Sequence, residues 1–220
     1  MNAAAPRFAA VIFDMDGLLL DSERIAFEIG RAASEALGIV WREEVAFKMI
    51  GRNAADNAQM LLREYGADYP LAAHMAEFGR RYDALIAAGG IPLKPGAIEL
   101  LNRLDELRIP RAVATSTAHA RAAFKLERVG LLTRFDALVG GDEITHGKPA
   151  PDIFLAAAQR LGVAPASCLA LEDSNTGAQA ALAAGMQVRI IPDLLGADAS
   201  VLAAGARALD SLHDVLRELS

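Results

Sequence analysis

Short apolar runs separated by amphipathic stretches set the rhythm of this chain. Phe8–Phe13, Arg111–Thr115, Ala137–Val139, Cys168–Glu172 and Gln187–Ile191 are mostly apolar with little alternation. Runs of this length and character predict strands covered on both faces. Between them, apolar residues recur at helical spacing over Gly96–Leu107, Ala118–Val129, Asp152–Leu161 and Thr176–Ala184. Pro95 and Gly96 open the first of these helices. Gly130, Gly162 and Gly185 stand where helix C-caps belong. Strand–helix alternation builds βαβ units, so the predicted fold is α/β with a Rossmann-like parallel sheet.

One region breaks the rhythm. After the first strand the chain shows only helical patterns, over Glu23–Leu37, Glu43–Met49, Ala54–Tyr65 and Leu71–Ala88. It returns through a Gly/Pro-rich connection, Gly89–Gly96, whose composition suits a hinge. This divides the chain into an α/β core, residues 1–21 and 92–220, and a helical cap, residues 22–91, inserted after strand one.

Composition narrows the function classes. The 220 residues allow one domain with a small insert. A net charge of −6 argues against general nucleic-acid binding. The single cysteine, Cys168, has no internal disulfide partner, and its apolar neighbours predict a buried structural thiol. No run of about 18–20 apolar residues is present to span a membrane. The N-terminal segment lacks the charged start and long apolar centre of a signal peptide. These features predict a cytoplasmic protein with no membrane partner, and the core asks for no second subunit, so a monomer is expected.

The chemistry lies at the strand ends. Phe13-Asp14-Met15-Asp16-Gly17 puts two carboxylates two residues apart at the end of the first strand. One carboxylate can attack a phosphoryl group, and the other can pass a proton to the leaving oxygen and later take one from water. Gly17 lets the backbone turn where a Cβ would clash. In an open parallel sheet the carboxyl ends of the strands face the ligand crevice, so polar groups at successive ends converge there. The second end carries Thr115-Ser116-Thr117, where a hydroxyl and loop amides can hold phosphate oxygens at a helix N-terminus. The third segment, Gly147-Lys148-Pro149-Ala150-Pro151-Asp152, fixes a lysine between turn residues, where it can neutralise phosphoryl and nucleophile charge. The fourth, Glu172-Asp173-Ser174-Asn175, is a second acidic pair. Carboxylates of the first and fourth segments can hold Mg²⁺, a hard ion that prefers oxygen ligands.

The four motifs in this order, with a helical insert between the first two, resemble the haloacid dehalogenase superfamily of phosphotransferases over essentially the whole chain. The resemblance is closest to the subgroup of β-phosphoglucomutase, phosphoglycolate phosphatase and small sugar-phosphate phosphatases. It implies Asp14 as the nucleophile that becomes an aspartyl phosphate, and Asp16 as general acid/base with its backbone carbonyl on Mg²⁺. It implies Thr115 and the Ser116 amide as phosphoryl ligands and Lys148 as a bridge between Asp14 and phosphate. It further implies Asp173 as a direct Mg²⁺ ligand and Glu172 as a direct or water-mediated one. The substrate implied is a small phosphorylated metabolite, such as a sugar phosphate or phosphoglycolate.

Two departures favour hydrolysis over phosphoryl transfer within one sugar. Ala26 stands where the mutase has a cap-entry histidine, and Gly51-Arg52-Asn53-Ala54 puts alanine where the mutase has an arginine. Asp16 argues against carbon–halogen cleavage, because the parent dehalogenases lack that second carboxylate. A phosphomutase and a non-catalytic phosphate-binding module are the rival readings. Glu23, Arg52 and Asn53 are the cap candidates for substrate contact. Asp142, Ser174 and Asn175 are expected to be structural, Asp152 to cap or brace its loop, His119 to be exposed and Trp41 to pack the cap. His74 and His146 have no zinc-like spacing.

Overall fold

The computed structural model describes residues 8–50, 52 and 54–219 of the chain. Strands β1 (Ala10–Phe13), β2 (Arg111–Ala114), β3 (Ala137–Val139), β4 (Cys168–Glu172), β5 (Gln187–Ile190) and β6 (Arg207–Ala208) form one parallel sheet. Their order is β3-β2-β1-β4-β5-β6. The first half of the chain winds outward from β1 through β2 to β3, and the second half starts again on the other side of β1. The neighbours β1 and β4 therefore flank the point where the winding reverses, which is where such sheets open a ligand crevice.

Helices cover both faces. Along β1 the side chains alternate: Val11 and Phe13 join one buried cluster, Ala10 and Ile12 the other. The first cluster is closed by α5 (Ala97–Leu107), α6 (His119–Arg128) and α10 (Leu212–Glu218). The second is closed by α7 (Asp152–Leu161) and α8 (Asn175–Ala183). The stripe Ala97, Leu100, Leu101 and Leu104 explains why α5 lies where it does: its residues recur at i, i+3, i+4 and i+7 and are fully buried. Each buried leucine there contributes about 1.5–3 kcal/mol of apolar transfer.

The stretch between β1 and α5 holds α1 (Ser22–Ala36), α2 (Glu43–Phe47), α3 (Ala54–Tyr65) and α4 (Leu71–Ala87), and no strand among its described residues. It carries a small apolar cluster of its own around Val45, Leu61 and Tyr69. Tyr82 and Ile86 of α4 reach the main core instead. The chain enters and leaves this stretch by adjacent segments, with Leu20 bridged antiparallel to Leu93.

The elements expected from the apolar pattern all occur, with ends shifted by up to two residues. Three elements carry too little pattern to be foreseen. β6 is two exposed residues at the sheet edge. Of α9 (Ala199–Ala203) only Val201 is buried, and α10 buries Leu212 and Val215. The Cys168 side chain is buried, as expected of a structural thiol. Among the described residues no helix is long and apolar enough to cross a membrane.

Candidate active site

Register brings the first and fourth motifs to one level. Phe13 pairs with Val113 on one side and Leu171 on the other, so Asp14, Ala114 and Glu172 leave the sheet side by side. Lys148 reaches into this row. Its Nζ lies 2.5 Å from Asp14 Oδ1 and 2.5 Å from Glu172 Oε1, and donates to the Ala114 carbonyl at 3.3 Å. All three charged groups are buried. Burial alone would lower the Lys148 pKa, but the Asp14 and Glu172 carboxylates raise it above the ordinary lysine value. The ammonium therefore stays charged. Burial, only partly offset by Lys148, pushes Asp14 up to about 7.

Glu172 is fully engaged by the protein. Besides Lys148 on Oε1, its Oε2 accepts from the backbone N–H of Asp173 and Ser174 at 3.2 Å each and from Ser174 Oγ at 3.0 Å. A Cβ at Gly177 would run into this carboxylate, so the first turn of α8 packs directly on it. Ser174 also caps α8, accepting from the Gly177 N–H at 3.1 Å.

Asp173 has different surroundings. It is buried, and its pKa lies well above the usual carboxylate range, first from burial and then from the charges of Glu172, Asp14 and Glu23. Gly17 sits against it at φ +86°, and a Cβ there would overlap the Asp173 carboxylate. A divalent cation would relieve this crowding of carboxylates. Among the described residues no three acidic, imidazole or thiol side chains form a ready-made metal cage.

Asp16 points elsewhere. Its Oδ1 accepts from Ser22 Oγ at 2.6 Å and from Lys125 Nζ at 2.7 Å, and its Oδ2 accepts from Thr117 Oγ1 at 2.7 Å. Burial would raise its pKa, but Lys125 and these donors hold it below the ordinary value. Lys125 lies on the buried stripe of α6 with Ala122 and Leu126, and its Nζ sits 5.0 Å from the centre of the Tyr82 ring. Sequence reading missed Lys125, Thr117 and Ser22 as Asp16 partners. The available signal was a lysine on an otherwise apolar helical stripe.

The other sequence candidates fall around this centre. Thr115 is buried at the end of β2, and its Oγ1 accepts from the Thr117 N–H at 3.1 Å. Thr115 and Ser116 line the same cavity as Asp14 and Asp16, together with Glu23 and Arg52. Burial and the Asp16 and Asp14 charges push Glu23 up to about 8. Arg52 is exposed, and its Nε donates to the Lys48 carbonyl at 3.0 Å. Asn53 lies outside the described residues. Asp142 accepts from the His119 N–H at 2.7 Å, and Asp152 braces its loop through the His146 N–H at 3.1 Å. Asn175 ties the start of α8 to Gly196 and Asp198 through its side-chain amide.

The chain as a whole is similar to known proteins. Residues 8–185 match the family model of haloacid dehalogenase-like hydrolases. A phosphorylated carbohydrates phosphatase of Thermotoga maritima is 32% identical over 96% of this chain and 97% of its own length. Fructose-1-phosphate phosphatase YqaB of Escherichia coli K12 is 34% identical over 82% of this chain and 94% of its own. The crystal structure of CbbY from Rhodobacter sphaeroides in complex with phosphate superposes with a TM-score of 0.77 at 30% identity, covering 96% of this chain and 99% of that one. The chain belongs to the haloacid dehalogenase-like hydrolases, as a phosphoric monoester hydrolase.

Proposed function

We propose that this protein is a Mg²⁺-dependent phosphatase that hydrolyses a small phosphorylated metabolite through an aspartyl phosphate. The observation that carries the reading is the buried contact of Lys148 with both Asp14 and Glu172 at the carboxyl end of the central strands. Lys148 takes Oδ1 of Asp14, which leaves Oδ2 to attack phosphorus as the bond to the leaving oxygen breaks. Thr115 and the Ser116 amide, with Lys148, bind the remaining phosphoryl oxygens. Asp16 gives its proton to the leaving oxygen. Water then attacks phosphorus, the Asp14–phosphorus bond breaks, and Asp16 takes the water's proton. In the structure Asp16 is held as a carboxylate by Lys125, Ser22 and Thr117, the form that receives that proton. The first step therefore requires Asp16 to be released from this contact and protonated.

Asp14, Asp173 and the Asp16 backbone carbonyl would hold Mg²⁺, whose charge lowers the repulsion between the phosphate dianion and Asp14. Glu172 acts through Lys148 and its own loop, so a water-mediated link to the metal fits it better than a direct one. The helical stretch 22–91 serves as a cap, with Glu23 and Arg52 lining the shared cavity. Ala26 lines it too, so the position of the mutase histidine offers no imidazole, which supports hydrolysis over phosphoryl return. We place the protein in the cytoplasm, as a monomer.

The test is inorganic phosphate release from a panel of phosphorylated metabolites, with Mg²⁺ or with EDTA. Release from some members that stops with EDTA, and a radiolabelled acyl phosphate trapped on Asp14, support the proposal. Isomerisation of sugar phosphates without release points to the mutase, and tight binding without turnover to the binding module.

A further inference from the structure

Helix α4 ends against α6, and three basic residues of α6 make the contact. Arg121, Lys125 and Arg128 recur at i, i+4 and i+7, so they share one helical stripe. Each meets a residue of α4. Arg121 pairs with Asp83 at 2.6 Å, and Arg128 Nη2 donates to the Ala87 carbonyl at 2.8 Å. Lys125 Nζ lies over the Tyr82 ring, 5.0 Å from its centre, and the Arg121 guanidinium lies over the same ring at 5.3 Å.

The ring is itself fixed. Tyr82 is buried in the main apolar core, and Phe78, one turn earlier on α4, stacks on it at 5.5 Å. Lys125 has use for such a support. A lysine carries a compact charge on a flexible four-carbon stem, so one ion pair leaves it many positions. The anionic partner of Lys125 is Asp16, with Nζ 2.7 Å from Oδ1. The face of an aromatic ring attracts an ammonium group, the more so where water is excluded. Here the Lys125 side chain is only 5% exposed.

We propose that Tyr82 is a positioning residue for the acid/base: its ring holds Lys125 on Asp16, and through Lys125 it sets where the Asp16 carboxylate stands. This inference rests on the phosphatase reading of the same site. Ser22 and Thr117 also donate to Asp16, but both are neutral hydroxyls, and Lys125 supplies the charge. Tyr82 also lines the cavity that holds Asp14 and Asp16. It therefore has two separable effects. As part of the wall it acts on substrate binding. Through Lys125 it acts on proton transfer by Asp16.

The test uses the intact chain and the phosphorylated metabolite from which it releases phosphate fastest with Mg²⁺. Tyr82→Leu removes the ring and keeps an apolar side chain. It should lower kcat about three- to tenfold, and Tyr82→Phe, which keeps the ring, should recover most of that loss. Tyr82→Leu is then combined with Lys125→Met. In that background it should leave kcat where Lys125→Met alone puts it, while the change in KM from the lost wall persists. A helix merely loosened by the substitution would lower kcat by the same factor in both backgrounds. That result overturns the inference while hydrolysis stands, and so does a Tyr82→Leu protein with only KM raised. If Tyr82→Leu melts below the assay temperature, Tyr82→Met fills similar space without an aromatic face, and the same outcomes decide. Absence of phosphate release by the unaltered protein from every compound overturns the phosphatase reading and this inference with it.

Discussion

Lys125 and Asp16 form a part-buried ion pair across 109 residues of chain, with Nζ 2.7 Å from Oδ1. It ties the proposed acid/base to a helix behind the phosphate loop rather than to the substrate. Lys125→Met removes the charge that holds Asp16 below its ordinary pKa. The ionisation of Asp16 then moves to higher pH, and the limb of the kcat/KM profile that it controls should move with it. Misplacing the carboxylate should also cost roughly 10–100-fold in kcat/KM. A pH–rate profile unchanged in shape would show that Lys125 serves only packing.

Asp14→Asn keeps the shape of the side chain and removes the nucleophile. Turnover should fall by about a thousandfold or more, because groups acting as a unit cannot be replaced one at a time. The fold should persist, since Lys148 keeps Glu172 as its partner. Circular dichroism and a thermal melt check the fold; phosphate release checks turnover. Substantial residual activity would remove Asp14 from the nucleophile role.

Without metal, the carboxylate cluster should weaken the protein as pH rises. Asp14 and Glu23 have folded pKa values of about 7 and about 8, and Asp173 is also raised. The folded state thus binds more protons than the unfolded one between the ordinary carboxylate range and pH 8. Stability is highest below that window and falls as pH rises through it. Melting in EDTA should therefore drop between pH 5 and pH 8. Mg²⁺ at about a hundred times its Kd adds about 2.7 kcal/mol, or ~5–10 °C for a chain of this size. At one fixed Mg²⁺ concentration the gain should be larger at pH 8 than at pH 5, because protons compete for the carboxylates, and an equal gain at both would show that metal and protons do not share the site.

The sheet and its chemistry were legible because both follow short-range rules. Apolar runs marked β1, β2, β3, β4 and β5, and the winding rule then gathered Asp14, Thr115, Lys148 and Glu172 at one end. What stayed hidden depends on helix rotation. Lys125 reads as one polar residue in the α6 pattern until the fold turns it toward Asp16. The closure of Glu172 by Lys148, Ser174 and the Gly177 turn was hidden too, because it depends on how α8 packs on the strand end.

Glu172 and Asp173 give the sharpest contrast between neighbours. Glu172 accepts four protein hydrogen bonds and is closed off by Gly177. Asp173 is buried beside the charges of Glu172, Asp14 and Glu23, a repulsion that a bound cation would relieve. Asp173→Asn should therefore raise the Mg²⁺ concentration for half-maximal activity by about tenfold or more, while folding stability without metal stays level or improves, since a repelled charge is gone. Glu172→Gln should do the reverse. It removes one anion from the buried Lys148 and costs up to about 3–5 kcal/mol, with a smaller change in Mg²⁺ requirement. Activity titrated with Mg²⁺, and urea melts in EDTA, separate the two. A Glu172→Gln protein of full stability with a tenfold weaker Mg²⁺ response would make Glu172 the metal ligand and Asp173 its support.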